Sequence, residues 1–526
     1  MKRIAIDLTP LLPGGDNGGA KPLAILLVRH LALAAPDCEF VLLTQEKTHQ
    51  ELAALDAPNV RRLCTTQPEN APTVSRQKAL AIRRLLLRIV PAALVERLGR
   101  LYLERFDRAP AAESSLLRQI GAELLFCPFT GVLFYDSGVP VVSLVHDLQY
   151  LHYPEFFDPA DRHERDRYFR HVCRVASRIV CVSEFTRSTV LKQTDLPPYR
   201  VTAVLSAPQE RLNPIPRSPS PSPSRFGEPY LLYPANFWRH KNHEMLLAAF
   251  GMYRARHPQS DLKLVLTGAP SPRRDELMEA ARRMRLAAWA NFPGHLPEPE
   301  FADLLGGCMA MIFPSLFEGF GMPVLEAMAA GVPVLASNLT SLPEIAGGAA
   351  LLFDPRRPTE IADAIERIAG DPTLRAELIA RGRERARIFP GAAQMAAGYL
   401  AAFEAAARDP LERPPAIHGV FADGWTSGRM RVVFGRGQGP RRLTVKLKAP
   451  EWLPSAAVII RVSPGGKRRI ARGQEAAIVC ELPEGPGAVE LLCSPTFQPG
   501  GEDRRTLGCM LVSAAIGDIP VEAHAA

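Results

Sequence analysis

The sequence predicts an α/β fold with two doubly wound halves, followed by a C-terminal all-β sandwich domain. Apolar runs typical of buried parallel strands alternate with helical periods in residues 1–206 and again in 230–390, which favours doubly wound sheets. Residues 207–229 are rich in Pro and Ser and lack a hydrophobic period, so they predict a linker. Short β-rich runs between Pro and Gly turns fill 413–526 and predict the sandwich. A helix and linker at 391–412 precede it.

Composition is that of an ordinary globular protein. The chain has 526 residues, 47% hydrophobic and 22% charged, with a net charge of +8. This charge suits anionic phosphates or a negative membrane surface, but it is too diffuse to indicate nucleic acid. The nine cysteines show no CxxC pair and are interpreted as reduced thiols. Asp7 interrupts the first apolar run, which argues against a signal peptide, and no run approaches the ~20 apolar residues of a membrane span. A cytoplasmic protein is therefore predicted.

A glycine-rich loop follows the first predicted strand at 3–8. Gly14, Gly15, Gly18 and Gly19 permit close backbone approach. The spacing is not that of a dinucleotide fingerprint. Either a surface turn or a ligand-approaching loop fits it.

His146 and Asp147 stand at the end of the predicted strand VVSLV. Ligands of open α/β sheets bind at the carboxyl ends of strands. This position favours a functional histidine over one that only packs.

The region 76–108 is basic and amphipathic, with leucines and isoleucines at helical spacing among arginines. It predicts either a pair of packed helices with a solvated basic face, or a surface for anionic lipid headgroups. The second interpretation would place the protein at the inner face of the membrane.

The stretch FPSLFEGFGMPVLE, residues 313–326, combines a strand, a glycine turn and a helix start at Pro323. Such an order presents backbone N–H groups at a helix N-terminus, which suits a phosphate. Glu318 falls in the turn and Glu326 about one turn into the helix, toward the same cleft. The pattern predicts a sugar-nucleotide site.

This stretch resembles the family 4 retaining glycosyltransferases, and the resemblance implies the GT-B fold, in which two Rossmann-like domains face a cleft. ANFWRHKNH, NFPGHLPEPEF, VSEFTRSTV and the pair His146-Asp147 also match that family. The resemblance covers residues 1 to 409. ANFWRHKNH is most similar to mannosyltransferases, which implies GDP-mannose as the donor.

The resemblance also implies roles for individual residues. Lys241 resembles the lysine that binds the donor diphosphate, with Arg239 beside it, although Ala235 stands where the family usually has an arginine. Glu326 resembles the carboxylate that binds the ribose hydroxyls, and Glu318 the one that contacts the donor sugar.

Further donor-site positions follow from the same resemblance. They are Phe320, Gly321 and Met322 as backbone donors, Gly18 and Gly19 near the diphosphate, His146 beneath the donor sugar, and Phe292, Gly294 and His295 near the base.

Departure of the diphosphate builds negative charge, which Lys241, Arg239 and a helix N-terminus would stabilise. The chain contains no D-x-D carboxylate pair, so no metal and no cofactor are expected. The predicted function is transfer of a sugar from a nucleotide sugar to a saccharide or lipid-linked saccharide in polysaccharide assembly, such as that of lipopolysaccharide. The alternatives are another GT-B enzyme, such as a sugar-nucleotide epimerase, or a scaffold that binds carbohydrate without catalysis.

The last domain resembles a β-sandwich appended to some polysaccharide-building transferases, through FADGW, KAPEWLP and SPTFQPGGEDRRTLGCML. Trp425 and Trp452 either stack on sugar rings or pack in the core, and core packing is the favoured interpretation. Asp503 and Arg504 are expected to form an ion pair.

Overall fold

The structure is a computed structural model, and only part of the chain is described. The described residues are 1–13, 18–65, 116–136, 138–208, 229–408, 416–421, 423–434, 441–463, 465–482, 487–498, 505–517 and 519–525. The predictions for 76–108, for most of the linker, and for Gly14, Gly15, Asp503 and Arg504 lie outside these residues.

The first α/β half is built on a parallel sheet, as predicted. Its strands lie in the order β3-β2-β1-β4-β5-β6-β7, and each pairs in parallel with its neighbours. The strands are β1 (Arg3–Asp7), β2 (Glu39–Thr44), β3 (Val60–Cys64), β4 (Leu124–Cys127), β5 (Val141–Val145), β6 (Arg178–Cys181) and β7 (Val201–Ala203). β4, β5 and β6 are buried at every position, which explains their continuous apolar runs.

The second half has a parallel sheet of its own, in the order β10-β9-β8-β11-β12-β13. Its strands are β8 (Tyr230–Pro234), β9 (Lys263–Thr267), β10 (Ala290–Gly294), β11 (Ala310–Phe313), β12 (Val334–Ser337) and β13 (Leu351–Phe353). In both sheets the strand order reverses beside the first strand of the half. Such a reversal is where ligands bind in doubly wound sheets.

Helices connect the strands of both halves. They are α1 (Ala20–Ala34), α2 (Glu46–His49), α3 (Leu116–Gln119), α4 (Gln149–His152), α5 (Pro159–Val175), α6 (Glu184–Gln193), α7 (His243–Arg256), α8 (Pro272–Arg283), α9 (Glu298–Gly307), α10 (Met322–Ala329), α11 (Leu342–Ala346), α12 (Pro358–Gly370), α13 (Pro372–Arg387) and α14 (Ala392–Arg408). Short 3₁₀ turns occupy Glu51–Leu55, Pro154–Phe156, Pro198–Arg200 and Arg239–Lys241. None of the helices within the described residues is long and apolar enough to cross a membrane.

The last helix of the α/β part, α14, returns to the first sheet. Tyr399 and Phe403 place their rings 5.6 and 5.1 Å from that of Phe126 on β4. The helix predicted within the helix-and-linker segment 391–412 is thus present as α14, and it packs against the N-terminal half before the sandwich begins.

The C-terminal part consists of two sheets, which confirms the predicted all-β domain. One has the order β18-β17-β20-β15-β14-β23 and the other β19-β16-β21-β22. The strands are β14 (Ala416–Val420), β15 (Thr426–Phe434), β16 (Arg441–Lys448), β17 (Ala457–Ser463), β18 (Lys467–Ala471), β19 (Glu475–Leu482), β20 (Gly487–Ser494), β21 (Met510–Ile516), β22 (Ile519–Pro520) and β23 (Glu522–Ala525). In β17 buried and exposed side chains alternate, because one face covers the sandwich core.

The chain divides into two compact units. The two α/β halves belong to one unit, and the sandwich forms the other together with residues from 111–123 and 134–140. Asp136 is fully buried in the second unit and pairs with Arg118 at 2.7 Å and with Arg431 at 3.5 Å. Short segments from the first half of the sequence are therefore part of the unit that holds the sandwich.

Candidate active site

The loop between β11 and α10 approaches the end of β5 very closely. A Cβ on Gly319 would lie 1.9 Å from the carbonyl oxygen of His146. Gly321 has φ +101°, in the left-handed region, and a Cβ there would lie 2.5 Å from Leu342 Cδ2. Only glycine fits at these two positions. This is why the turn predicted between the two glutamates contains two glycines.

Hydrogen bonds from α6 hold the same loop. Ser183 Oγ donates to the Gly319 carbonyl at 2.6 Å, and Thr186 Oγ1 donates to it at 3.1 Å. In return, the Glu344 carboxylate accepts from the backbone N–H groups of Glu184 and Phe185 at 2.9 and 2.8 Å. The carboxylate occupies the N-terminus of α6, where the helix dipole favours negative charge. The two α/β halves are thus joined at the predicted donor loop.

Ser341 and Thr340 fix the loop from the other side. Ser341 Oγ lies 2.9 Å from the carbonyl oxygen of Glu318 and 2.8 Å from that of Phe320. Thr340 Oγ1 accepts from the Glu318 N–H at 3.1 Å. The backbone around Glu318 is therefore fixed by side chains from the segment before α11.

Lys241 and Glu318 form an ion pair. Lys241 Nζ lies 2.5 Å from Glu318 Oε1, and the two side chains are only 12% and 13% exposed. The lysine ends the 3₁₀ turn at 239–241, and Tyr233 OH donates to its carbonyl oxygen at 2.7 Å. The next residue, Asn242, has φ +62° and donates from Nδ2 to the carbonyls of Pro314 and Pro355. Residues predicted for the diphosphate and the donor sugar are therefore in direct contact.

Glu326 lies within the eight-residue helix α10 and is only 2% exposed. The helix begins at Met322, with Pro323 in its first turn, where proline's missing N–H removes no intrahelical bond. A carboxylate buried this deeply belongs to an ordered polar environment rather than to a solvated surface.

His146 follows β5 and is held in one tautomer. Its Nε2 lies 2.8 Å from the carbonyl oxygen of Pro128, and because a carbonyl only accepts, Nε2 carries the proton. Burial lowers the pKa of His146. The neutral ring therefore keeps Nδ1 as a hydrogen-bond acceptor at neutral pH.

The glycine loop of the first half comes close to Trp238. Gly18 has φ +55°, and a Cβ there would lie 2.8 Å from Trp238 Cη2, whereas nothing lies within 4 Å of a Cβ on Gly19. Trp238 is 45% exposed, and its ring lies 5.7 Å from that of His240. Burial and the charge of Lys241 lower the pKa of His240 to about 3. Sequence reasoning did not single out Trp238, although it stands inside the motif ANFWRHKNH.

The three residues expected near the base lie at β10 and just beyond it. The Phe292 ring is 6.2 Å from that of Phe237, and Gly294 has φ +85° and accepts from the Gly268 N–H at 3.1 Å. His295 is exposed, and so is Arg239. The structure places these residues at the carboxyl ends of the strands of the second sheet.

Sequence reasoning missed four contacts that hold the site together. Ser183 caps α6, since its Oγ accepts from the Thr186 N–H at 3.1 Å. Its bond to the Gly319 carbonyl, and the roles of Thr186, Ser341 and Glu344, involve residues over 20 positions away. The residues next to them in the sequence carry no signal of these partners.

Two parallel sheets with a cationic residue, a helix N-terminus and buried carboxylates at their strand ends define a GT-B type of protein. Residues 215–385 match the family described as Glycosyl transferases group 1. The fold is similar to that of sucrose-phosphate synthase from Thermosynechococcus elongatus, with a TM-score of 0.55 and 19% identity over 77% of this chain and 98% of that chain.

Two relatives from Escherichia coli are similar in sequence. O-antigen chain mannosyltransferase B is 32% identical over 260 residues, which are 47% of this chain and 66% of the relative. The serotype-specific mannosyltransferase WbdA is 31% identical over 210 residues, 39% of this chain and 26% of the relative. The chain thus spans slightly less than two thirds of the first relative and about a quarter of the second.

Proposed function

We propose that this protein is a retaining glycosyltransferase that moves mannose from GDP-mannose to a saccharide or lipid-linked saccharide during assembly of a cell-surface polysaccharide. The observation that carries the proposal is the Lys241–Glu318 pair, whose glutamate precedes Gly319 in the loop that contacts the His146 backbone. Support for mannose and for the polysaccharide comes from the names of the two relatives. The lipid-linked acceptor would bring the protein to the inner face of the membrane from the cytoplasm.

In the proposed reaction the bond between the anomeric carbon and the diphosphate oxygen breaks, and a bond from the anomeric carbon to an acceptor hydroxyl oxygen forms. Attack on the same face retains configuration, and the departing diphosphate oxygen takes the hydroxyl proton. Lys241 and the N-terminus of α10 would stabilise the negative charge on the leaving group. The ion pair with Glu318 keeps Lys241 in place until the donor enters.

The carboxylates and His146 would bind hydroxyl groups. Glu326 would accept from the ribose, since a buried carboxylate forms strong hydrogen bonds to hydroxyls. Glu318 would accept from the donor sugar once Lys241 turns to the diphosphate. Neutral His146 has Nδ1 available to accept from a sugar hydroxyl, because Nε2 is bound to Pro128.

The experiment is a donor panel with a turnover readout. Purified protein is incubated with GDP-mannose, GDP-fucose or UDP-glucose and a lipid-linked saccharide acceptor, and release of nucleoside diphosphate is measured. Release with GDP-mannose, and an axial product linkage by NMR, are expected. Donor binding without release across the panel would instead favour a carbohydrate-binding scaffold.

Catalysis without a metal is also part of the proposal, because cationic side chains and the helix dipole would take the place of a divalent ion. Turnover should persist in EDTA. Loss of turnover in EDTA, restored by Mg²⁺ or Mn²⁺, would contradict this element.

A further inference from the structure

Three aromatic rings form a cluster at one corner of the C-terminal sandwich. The ring centroids of Trp425 and Trp452 are 5.4 Å apart, those of Trp425 and Phe497 5.4 Å, and those of Trp452 and Phe497 5.3 Å. Their exposure is graded. Trp425 is 9% exposed, Phe497 is half-buried, and Trp452 is 59% exposed. The sequence favoured core packing for both tryptophans, but in the structure only Trp425 packs in the core.

The backbone beneath the cluster is firmly held. Trp425 bridges to Met510, and Phe497 exchanges two hydrogen bonds with Leu507, of 3.0 and 2.8 Å. The loop that carries Trp452 is anchored by Leu453, which is 1% exposed and whose N–H donates to the Pro450 carbonyl at 3.2 Å. Trp452 is therefore presented to solvent by a fixed loop whose next residue is in the core.

A pair of opposite charges lies near the backbone of Trp425. Arg505 Nη2 lies 2.9 Å from Asp423 Oδ2, and the Arg505 guanidinium lies 4.8 Å from the centre of the Phe421 ring. The backbone N–H of Trp425 donates to Asp423 Oδ1 at 3.4 Å. The side chains of Arg505 and Asp423 are partly exposed, at 35% and 46%. The carboxylate and the guanidinium offer planar hydrogen-bond acceptors and donors beside the Phe421 ring.

We propose that this corner, formed by Trp452 with Asp423 and Arg505, is a saccharide-binding site. The apolar C–H face of a pyranose ring would stack on the Trp452 indole, and its hydroxyls would bond to the carboxylate and the guanidinium. The saccharide is a neutral one, because the two charges of the pair compensate each other. That the saccharide is the protein's own glycan acceptor or product rests on the proposed function.

A single exposed indole is too small for other partners. A stable protein interface buries about 800 Å² on each side, and stable membrane anchoring needs a larger apolar or basic contribution than one ring. One pyranose ring matches the area of one indole. The graded exposure and the adjacent ion pair therefore favour a sugar over a protein or a lipid surface.

Such a site would hold a growing glycan on the same chain that elongates it. Tethering raises the effective concentration of the acceptor end without any new contact at the active site. Longer acceptors should therefore depend on Trp452, whereas acceptors too short to span both sites should not.

The test measures binding of mannotetraose to the full-length protein by calorimetry and by saturation-transfer NMR. Trp452→Ala should weaken binding by about fivefold or more, from the loss of one stacked ring, and Trp452→Phe should keep most of the affinity. Tyr199→Ala is the matched control, since Tyr199 is 69% exposed on the other compact unit. Because Trp452 is largely exposed, the thermal midpoint of each variant should match that of the wild type.

Three outcomes would refute the site. In the first, the wild type fails to bind mannotetraose, and in the second, it binds no more tightly than Trp452→Ala does. In the third outcome, Trp452→Ala loses only its binding to phosphatidylglycerol vesicles. Failure of the proposed function can be distinguished from failure of the saccharide-binding site. Lys241→Ala should bind mannotetraose like the wild type even though its transfer activity is lost, so a protein that binds but does not turn over still supports the site.

Discussion

Substitution of Gly319 by alanine tests whether contact between the two α/β halves is required for activity. The added Cβ would lie 1.9 Å from the His146 carbonyl oxygen, so the loop must retreat by more than about 1 Å to reach an ordinary contact distance. The Ser183 and Thr186 hydroxyls, at 2.6 and 3.1 Å from the Gly319 carbonyl, would then lose their acceptor.

Two lost hydrogen bonds at about 1 kcal/mol each amount to about 2 kcal/mol. That free energy corresponds to an approximately 30-fold smaller population of the joined arrangement. If catalysis requires this arrangement, kcat/KM for sugar transfer should fall by about 30-fold. The thermal midpoint should change little, since the cores of both sheets are untouched.

The assay is nucleoside diphosphate release at varied donor concentration, with hydrogen exchange of the α6 N-terminus as a structural readout. Gly370→Ala is the matched control, because nothing lies within 4 Å of a Cβ at that position. An unchanged kcat/KM for Gly319→Ala, with normal folding, would refute the reasoning that the loop must contact the His146 backbone.

Three further predictions concern single side chains. Lys241→Ala should weaken binding of GDP in calorimetry by at least about tenfold, with Lys192→Ala as the surface control, and unchanged affinity would refute the diphosphate role. Glu344→Gln keeps only one acceptor oxygen for the two α6 N–H groups. The substitution should lower kcat/KM by about tenfold and speed hydrogen exchange at the start of α6. Exchange at the wild-type rate would argue against the contact. Burial raises the pKa of Asp7 to about 6, so the protein takes up a proton on folding between pH 4 and 6. The free energy of unfolding therefore falls as the pH rises through this range, by up to about 3 kcal/mol. Asp7→Asn should remove this dependence in thermal unfolding, and parallel pH curves for the two proteins would contradict it.

Much of the fold is encoded in local patterns. The strand, glycine turn and helix from 310 to 329 follow from an apolar run, two glycines and Pro323, because each signal acts within a few residues of the chain. The strand VVSLV occupies the predicted positions, Val141–Val145. Both parallel sheets and the all-β part follow from the same kind of periodicity.

The candidate site was only partly predictable. Lys241 and Glu318 were singled out separately, by motif, but their 2.5 Å contact joins residues 77 positions apart. Glu344 at the N-terminus of α6 and Ser341 at the donor loop are ordinary polar residues in the sequence. No local pattern distinguishes a glutamate that accepts two N–H groups from one in water.

Local sequence patterns are sufficient to specify two doubly wound α/β halves, a glycine turn between two glutamates, and an all-β end. These features depend on periodicity and turn chemistry, which act over short stretches. Contacts between distant residues depend instead on the tertiary fold: the Gly319 backbone meets that of His146, Lys241 meets Glu318, and residues near Asp136 join the sandwich unit. The tertiary fold also separates two tryptophans of similar sequence context, burying Trp425 and exposing Trp452, because burial depends on which distant segments cover a side chain.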